Sequence, residues 1–294
     1  MVGRGKKEAE VKVPKVPYTR KDGSHLVGCF EEKYQELLDE KVSKLRELCR
    51  THYEGDIDVF ESTKKNFRMR ANFNIYRDEK NSEDPNGIHY IMYDEKTPCE
   101  VTSFPRGTVL LNKLMTDIMN GVREHLLLHV SLCEVRIVTT SSEDSVVVLI
   151  YRKPLTPEWK DLADKLADKL NTKIVGRSKS LKLIAGKSNS EIVEEKLRVS
   201  NQSYYLYHTE GAFSQPNAHV CEKMLQWAVD VTKGSQDQDL LELYCGGGTF
   251  TLPLSINFKN VLATVTHSLT HSLTHSLTHS LTHSLRRCLN KVWN

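Results

Sequence analysis

Asp239-Leu240-Leu241-Glu242-Leu243-Tyr244-Cys245-Gly246-Gly247-Gly248-Thr249-Phe250 is the stretch whose reading decides the architecture. A short apolar run that meets a glycine cluster reads as a buried strand entering a tight turn. Thr251 to Ile256 then continue as a helix, and Asn260 to Thr264 make a second strand. Strand, glycine turn, helix, strand is the opening of an α/β doubly wound, Rossmann-like sheet. Glycines there let the backbone pass close to a ligand, while the helix N-terminus offers free amides. Such a turn fits NAD, FAD or S-adenosylmethionine equally, and a plain tight turn as well. No Gly-Lys-Ser/Thr follows, which removes the P-loop reading.

Immediately upstream, Pro216 opens a helix through Trp227 to Val231, closed by Gly234, so this second region begins near Phe213. Before it the signals are mixed. Glu31 to Arg50 carries Tyr34, Leu37, Leu38, Val42, Leu45 and Leu48 near helical spacing, and predicts a helix that packs on a neighbouring domain. Arg70 to Tyr76 and Ile88 to Tyr93 read as strands around the turn Asp84-Pro85-Asn86-Gly87. Thr108 to Leu128 has one continuous helical pattern, and Glu134 to Thr140 with Ser145 to Tyr151 predicts a hairpin. A helix capped by Thr156, with Pro157 in its first turn, runs to about Leu170. The mixture predicts an α+β domain over residues 30–200, followed over 201–264 by the doubly wound opening.

Charge is informative by location. Of 41 basic and 38 acidic residues, only Arg286, Arg287 and Lys291 fall after Val265, which leaves 38 of each sign in the body. A neutral body gives no global pull on a polyanion, so a nucleic-acid surface must be local. The best local candidates are Lys64, Lys65, Arg68, Arg70 and Arg77, with Phe67 and Tyr76 between them, and Arg177, Lys179 and Lys182 around Gly176. Cations with interleaved aromatics suit the phosphates and splayed bases of an RNA loop. A solvated strand edge explains the same residues, since alternation turns Met69, Ala71 and Phe73 inward regardless.

Cys29, Cys49, Cys99, Cys133, Cys221, Cys245 and Cys288 are odd in number and contain no Cys-x-x-Cys pair. They read as reduced cytoplasmic thiols and argue against a disulfide framework, a zinc ribbon or an iron-sulfur cluster. No apolar stretch approaches the roughly 18 residues of a membrane span. Residues 1–29 read as a flexible basic arm. From Thr266 to Leu285, Thr-His-Ser-Leu repeats five times without substitution. The tetranucleotide ACTC, read in triplets, encodes that unit, so residues 265–294 read as an artefactual or disordered tail. His267, His271, His275, His279 and His283 would stack on a helix, but half the tract is Ser and Thr, which disfavour helix interiors; no metal site is expected.

A family resemblance rests on these residues in order. Leu240-Leu241-Glu242-Leu243-Tyr244-Cys245-Gly246-x-Gly248-x-Phe250, preceded by Phe213-Ser214-Gln215-Pro216-Asn217, is similar to the tRNA uracil-5-methyltransferase family. Phe67-Arg68-Met69-Arg70-Ala71, Ser103-Phe104-Pro105 and Trp227-Ala228-x-Asp230-Val231-Thr232-Lys233-Gly234 extend it over roughly residues 30–264. The resemblance implies a transferase that uses S-adenosylmethionine to methylate carbon 5 of a T-loop uridine, as a monomer acting on the tRNA T-arm. It makes residues 30–200 the RNA-binding domain and 201–264 the start of an incomplete methyltransferase domain. Gln215 would contact the cofactor or the target base, while Tyr244, Gly246, Gly248 and Thr249 would line the cofactor pocket. Thr249 and Gly247 stand where the family has Asn, and the acidic residue that holds the ribose falls on Val265.

Carbon 5 of uracil is a poor nucleophile, so the family adds a cysteine thiolate to carbon 6, and the resulting enolate takes the methyl. A carboxylate then removes the carbon 5 proton and the cysteine leaves. The Ser-Cys-Asn-Pro-like turn, the late Glu and the Asp-Pro-Pro-Arg stretch of that chemistry are missing from these 294 residues. Cys245 sits in the cofactor turn and is not a substitute nucleophile, and Cys288 follows the repeat. This chain is therefore expected to be inactive, and a non-catalytic tRNA-binding remnant or RNA-folding module is the alternative.

Overall fold

The computed structural model describes residues 31–77, 87–94, 97–179 and 181–264. The basic arm, residues 84–86 of the predicted turn, Val265 and the repeat tail lie outside them. The described chain divides into two compact units. One holds the residues up to Tyr53 with Lys64–Thr139 and Ser145–Glu191; the other holds Glu54–Thr63, Thr140–Asp144 and Ile192 onward.

The first unit is a seven-stranded sheet in the order β3-β2-β1-β4-β5-β6-β7. Its strands are β1 (Arg70–Arg77), β2 (Ile88–Asp94), β3 (Thr97–Glu100), β4 (Leu132–Thr139), β5 (Ser145–Tyr151), β6 (Lys173–Arg177) and β7 (Lys182–Ala185). Only β5 and β6 run parallel, with Leu149 opposite Gly176; they are joined by α4 (Pro157–Leu170) as a crossover. Along β1, Ala71 and Phe73 are buried while Asn72 and Asn74 are exposed, the alternation of a strand with one wet face. Along β5 every residue except Ile150 is buried, as suits an interior strand.

The core joins this sheet to α2 (Val109–Arg123) and α4 through Phe73, Leu111, Leu114, Ile118, Val135, Leu149, Trp159 and Ile174. Thr156 caps α4 by accepting from the Trp159 N–H at 3.3 Å, as its sequence predicts. Gly176 is there for space: a Cβ on it would lie 2.2 Å from the Trp159 ring. The single helix expected over 108–128 is broken. α2 ends at Arg123, His125 is extended (φ −139°), and a short α3 (Leu126–His129) follows. Leu128 there is held by the Tyr151 hydroxyl, which donates to its carbonyl at 2.8 Å. α1 (Tyr34–Cys49) forms where its periodicity predicts, but none of its residues is buried, and Leu48 is 77% exposed. The packing expected of its apolar stripe is therefore not seen among the described residues.

In the second unit β8 (Val193–Val199) and β9 (Gln202–His208) form an antiparallel hairpin, and α5 (Ala218–Val231) packs on β8. That pairing moves the division between units to Ile192, inside the domain drawn from sequence over 30–200. α5 opens just after Pro216, with Asn217 as its cap, accepting from the Val220 N–H at 3.1 Å. β10 (Asp239–Leu243) and β11 (Asn260–Thr264) pair in parallel, joined by α6 (Thr251–Leu254) and a 3-10 turn over Ser255–Asn257. Leu225, Val229, Leu254, Phe258 and Val261 make the core.

β10 is not the buried strand its composition predicts. None of its residues is buried, and Leu241 and Leu243 are each 59% exposed. Among the described residues, helices cover the side that carries Leu240 and Val261 and not the other, whereas a parallel sheet needs both faces covered. Amides of β10 and β11 are accordingly expected to exchange faster than those of β4 and β5. Equal protection of the two pairs in a hydrogen-exchange experiment would contradict this.

Glu195 of β8 is buried and accepts the Ser141 N–H at 3.0 Å and the Ser141 hydroxyl, tying the Thr140–Asp144 turn to the hairpin. Burial pushes its carboxyl above the usual carboxylate range, against the bonds from Ser141. A carboxyl whose folded pKa is raised is better protonated in the folded state, so this site loses stability as pH rises from the unfolded value through the raised one. Glu195→Gln keeps an acceptor for Ser141 and removes that titration. Its melting temperature is expected to decline less than wild type between mildly acidic and neutral pH, and parallel profiles would refute the assignment.

Candidate functional site

At the end of β10 the chain turns through a run of left-handed residues. Tyr244 has φ +60°, Gly246 φ +56° and Gly248 φ +79°. Left-handed backbone is cheap for glycine and costs a bulky residue such as tyrosine about 1–3 kcal/mol, a strain that clusters at ligand sites. Three main-chain bonds hold the turn. The Cys245 N–H continues the ladder to Thr264 O at 2.9 Å, Gly248 N–H closes on Cys245 O at 2.9 Å, and Leu252 N–H on Gly248 O at 3.1 Å starts α6.

Gly246 and Gly247 have open space where a Cβ would stand, with nothing within 4 Å. Among the described residues their small size therefore serves no packing, and the main chain is approachable. Tyr244 is 58% exposed beside them, and Thr249 is half-buried. Underneath, the Glu242 carboxylate accepts the Thr251 hydroxyl and so ties the strand to the helix after the turn. Burial raises the Glu242 carboxyl above its usual range.

Gln215 is half-buried in the loop that leads into α5, two residues before the Asn217 cap. The Asn217 amide also donates to Ser62 Oγ at 2.7 Å, and Lys223 and Trp227 farther along α5 hold Glu61 O and Asp58. The segment Glu54–Thr63 is thus fastened along this helix at three points, a contact with no local sequence signal. Phe213, in the same loop, is 73% exposed. Tyr244, Gly246, Gly248 and Thr249 come together on one turn, with Gln215 in the same unit.

The thiols argue against a nucleophile in this turn. Burial pushes up the Cys245 thiol, and the Glu242 charge pushes it further; burial also raises Cys133. Cys221, buried near Glu195 and Glu222, is pushed up to about 12. Among the described residues no group of three or more His, Cys, Asp or Glu could hold a metal ion, and no helix is long and apolar enough to cross a membrane.

The cationic candidates separate into three places. Lys64, Lys65, Phe67, Arg68 and Arg70 lie on the run that enters β1. Lys64 stands 5.7 Å over the Tyr34 ring, Lys65 pairs with Glu31 at 3.3 Å, and exposed Arg68 donates to the Arg70 carbonyl at 3.0 Å. Phe67 and Arg70 are half-buried. Arg68 also pairs by backbone with the Pro105–Gly107 loop, its N–H on Arg106 O at 2.7 Å, which brings Arg106 to this run. Only that long-range bridge reveals Arg106.

Arg77 closes the far end of β1, and its guanidinium donates to the His129 carbonyl and approaches His129 Nδ1 at 3.4 Å. It is a half-buried fastening between β1 and α3, apart from the other cations. Arg77→Ala is expected to cost about 1–3 kcal/mol in urea unfolding through the unpaired buried carbonyl. A change in RNA affinity without a change in stability would reverse this reading. Arg177 shares Glu191 with Lys182, at 4.0 and 2.6 Å, and Lys179 beyond them is exposed. β6 lies three strands from β1, roughly 14 Å across the sheet.

Comparison with known proteins agrees with these features. Residues 33–275 match the family model described as tRNA (Uracil-5-)-methyltransferase. The tRNA/tmRNA (uracil-C(5))-methyltransferase of Acinetobacter baylyi is 39% identical over 241 residues, covering 80% of this chain and 64% of its own length. Its counterpart in Saccharophagus degradans is 41% identical over 235 residues, covering 79% and 62%. The chain thus spans less than two thirds of these relatives. A crystal structure of Pyrococcus abyssi tRNA (uracil-54, C5)-methyltransferase in complex with S-adenosyl-L-homocysteine superposes with a TM-score of 0.56 at 18% identity, over 81% of this chain and 58% of that one, a likeness of fold. With the family model matched over most of its length, this chain belongs to the tRNA (uracil-5-)-methyltransferase family.

Proposed function

We propose that this chain carries the RNA-binding part and the cofactor turn of a tRNA uracil-C5 methyltransferase that acts on a T-loop uridine. The observation that carries the reading is the Tyr244–Thr249 turn, a strained, glycine-lined end of a parallel strand with open space beside Gly246 and Gly247. S-adenosylmethionine, when bound, supplies a methyl group on a sulfonium. The open glycines admit the cofactor to the main chain, Tyr244 and Thr249 flank it, and Gln215 contacts it or the target base. Lys64, Lys65, Phe67, Arg68 and Arg70 meet the T-arm, with Arg177 and Lys179 as a separate contact.

Methyl transfer needs a thiolate for carbon 6 of the uracil. The family's Cys turn and late Glu do not occur in these 294 residues, and burial raises the Cys133, Cys221 and Cys245 thiols. On this reading a polypeptide of these 294 residues is expected not to methylate the tRNA it binds.

The test is filter binding to a tRNA transcript over a salt series, run beside a methyl-transfer assay and dialysis against labelled S-adenosylhomocysteine. Affinity that falls steeply with salt is expected, because phosphate contacts release counterions. No transferred methyl is expected. Turnover by the purified chain sinks the claim of inactivity, absent retention of tRNA at low salt sinks the RNA reading, and absent retention of the cofactor product sinks the role of the turn.

A further inference from the structure

We propose that the outer face of the β8–β9 hairpin is a stacking platform for unpaired nucleotides of an RNA. The proposal concerns a different surface from the glycine turn and the run before β1, and it rests on the reading that this chain binds RNA. Along β8, Glu195, Leu197 and Val199 are buried, so Glu194, Lys196 and Arg198 occupy the opposite face. The register sets Tyr207 opposite Glu194, Tyr205 opposite Lys196 and Ser203 opposite Arg198.

Two aromatic rings of β9 therefore lie beside Glu194, Lys196 and Arg198 of β8 on one surface. Tyr205 and Tyr207 are 47% and 44% exposed. Lys196 Nζ lies 5.6 Å from the Tyr205 ring centre, and the Tyr207 hydroxyl donates to Glu194 at 2.7 Å. Tyr205 thus has the Lys196 ammonium over its ring and Tyr207 is held through its hydroxyl, while roughly half of each side chain stays exposed. Residues two apart on a strand are about 7 Å apart. Successive tyrosines on one strand can each stack a base of a single strand.

At the turn of the hairpin, exposed Arg198 joins Ser200, Asn201, Ser203 and Gln226 of α5 around an open depression of about 470 Å³. Hydroxyls and amides there suit base edges and ribose hydroxyls, and the guanidinium suits a phosphate. The nearby acids are held in place: Glu194 accepts the Tyr207 hydroxyl, Glu222 the Arg198 main-chain N–H at 2.8 Å, and Asp144 the Glu194 N–H at 3.0 Å, so their charges are to be offset by Lys196 and Arg198. Stacking needs bases already out of a helix, so the ligand is a single-stranded or looped RNA rather than a duplex.

The test uses the full chain, a labelled decauridylate and a tRNA transcript. Tyr205→Leu with Tyr207→Leu keeps apolar side chains on the strand and removes the rings, whereas Tyr205→Phe with Tyr207→Phe keeps them. The leucine pair is expected to weaken decauridylate binding by at least about tenfold and the phenylalanine pair by less than about twofold. Photo-crosslinks from a 4-thiouridine oligonucleotide should map to the β8–β9 hairpin. If the leucine pair fails to fold, the crosslink map on wild type and the binding of Lys196→Gln, expected to weaken, decide in its place. Unchanged binding by the leucine pair, or crosslinks confined to other segments, overturns the platform and leaves the RNA reading standing. Failure of the wild type to bind either RNA overturns both. A concentration-dependent dimer abolished by the leucine pair also overturns the proposal, since the face would then be a contact between copies.

Discussion

Trp159→Ala is expected to lower the unfolding free energy of the first unit by about 3–5 kcal/mol, the largest stability change of any single substitution considered. The ring is only 2% exposed, stacks edge-on against Tyr151 at 5.6 Å and 80°, and fills the space that Gly176 leaves open. Its removal leaves a cavity between α4 and the β5–β6 pair that neighbouring aliphatic side chains fill only in part. A typical domain is stable by about 5–15 kcal/mol, so much of the margin would go. The complementary change, Gly176→Ala, pushes a methyl into the same ring and should cost about 1–3 kcal/mol. Urea unfolding followed by tryptophan-independent circular dichroism checks both. A midpoint for Trp159→Ala close to wild type would mean that the ring is not the keystone of this crossover.

Gly248→Val is expected to reduce binding of S-adenosylhomocysteine by at least about tenfold, with tRNA retention unchanged. Gly248 has φ +79°, and a β-branched residue held there carries about 1–3 kcal/mol of strain, enough to reshape the turn. Gly247→Val separates turn geometry from ligand clash. Gly247 is not among the left-handed residues and a Cβ on it meets nothing within 4 Å, so the fold should tolerate the change. Lost cofactor binding by Gly247→Val at an unchanged melting temperature would locate the ligand in that space. Undiminished binding by both variants in calorimetry would exclude this turn as the cofactor site.

Most elements were legible because their signals are local. Thr156-Pro157 starts α4, the Ser141–Asp144 turn separates β4 from β5, and the glycine cluster follows a strand and precedes a helix, each as its residues predict. β6, β7, β8 and β9 lacked such signals. β8 alternates inward Leu197 and Val199 with charges, but its central inward residue is Glu195, a buried carboxyl that composition assigns to the surface. The break at His125 was hidden because apolar periodicity runs through it, and the bond from Tyr151 that holds Leu128 in α3 comes from a distant strand.

The same contrast holds for the sites. Residue types and order alone determined the family, the glycine turn and the cationic character of the run from Lys64 to Arg70, since each is written within a few consecutive residues. Which cations act together could not be read from the chain. Arg77 shares the strand of Arg70 but spends its charge on His129, while Arg106, 38 residues beyond Arg68, is brought beside it by a backbone bond. Tertiary structure likewise decided that β10 is half-exposed and that Tyr205 and Tyr207 share an open face with Lys196 and Arg198. Burial and cross-strand neighbours depend on which segments pack together, and a side chain's partners across a sheet are set by register rather than by its neighbours in sequence.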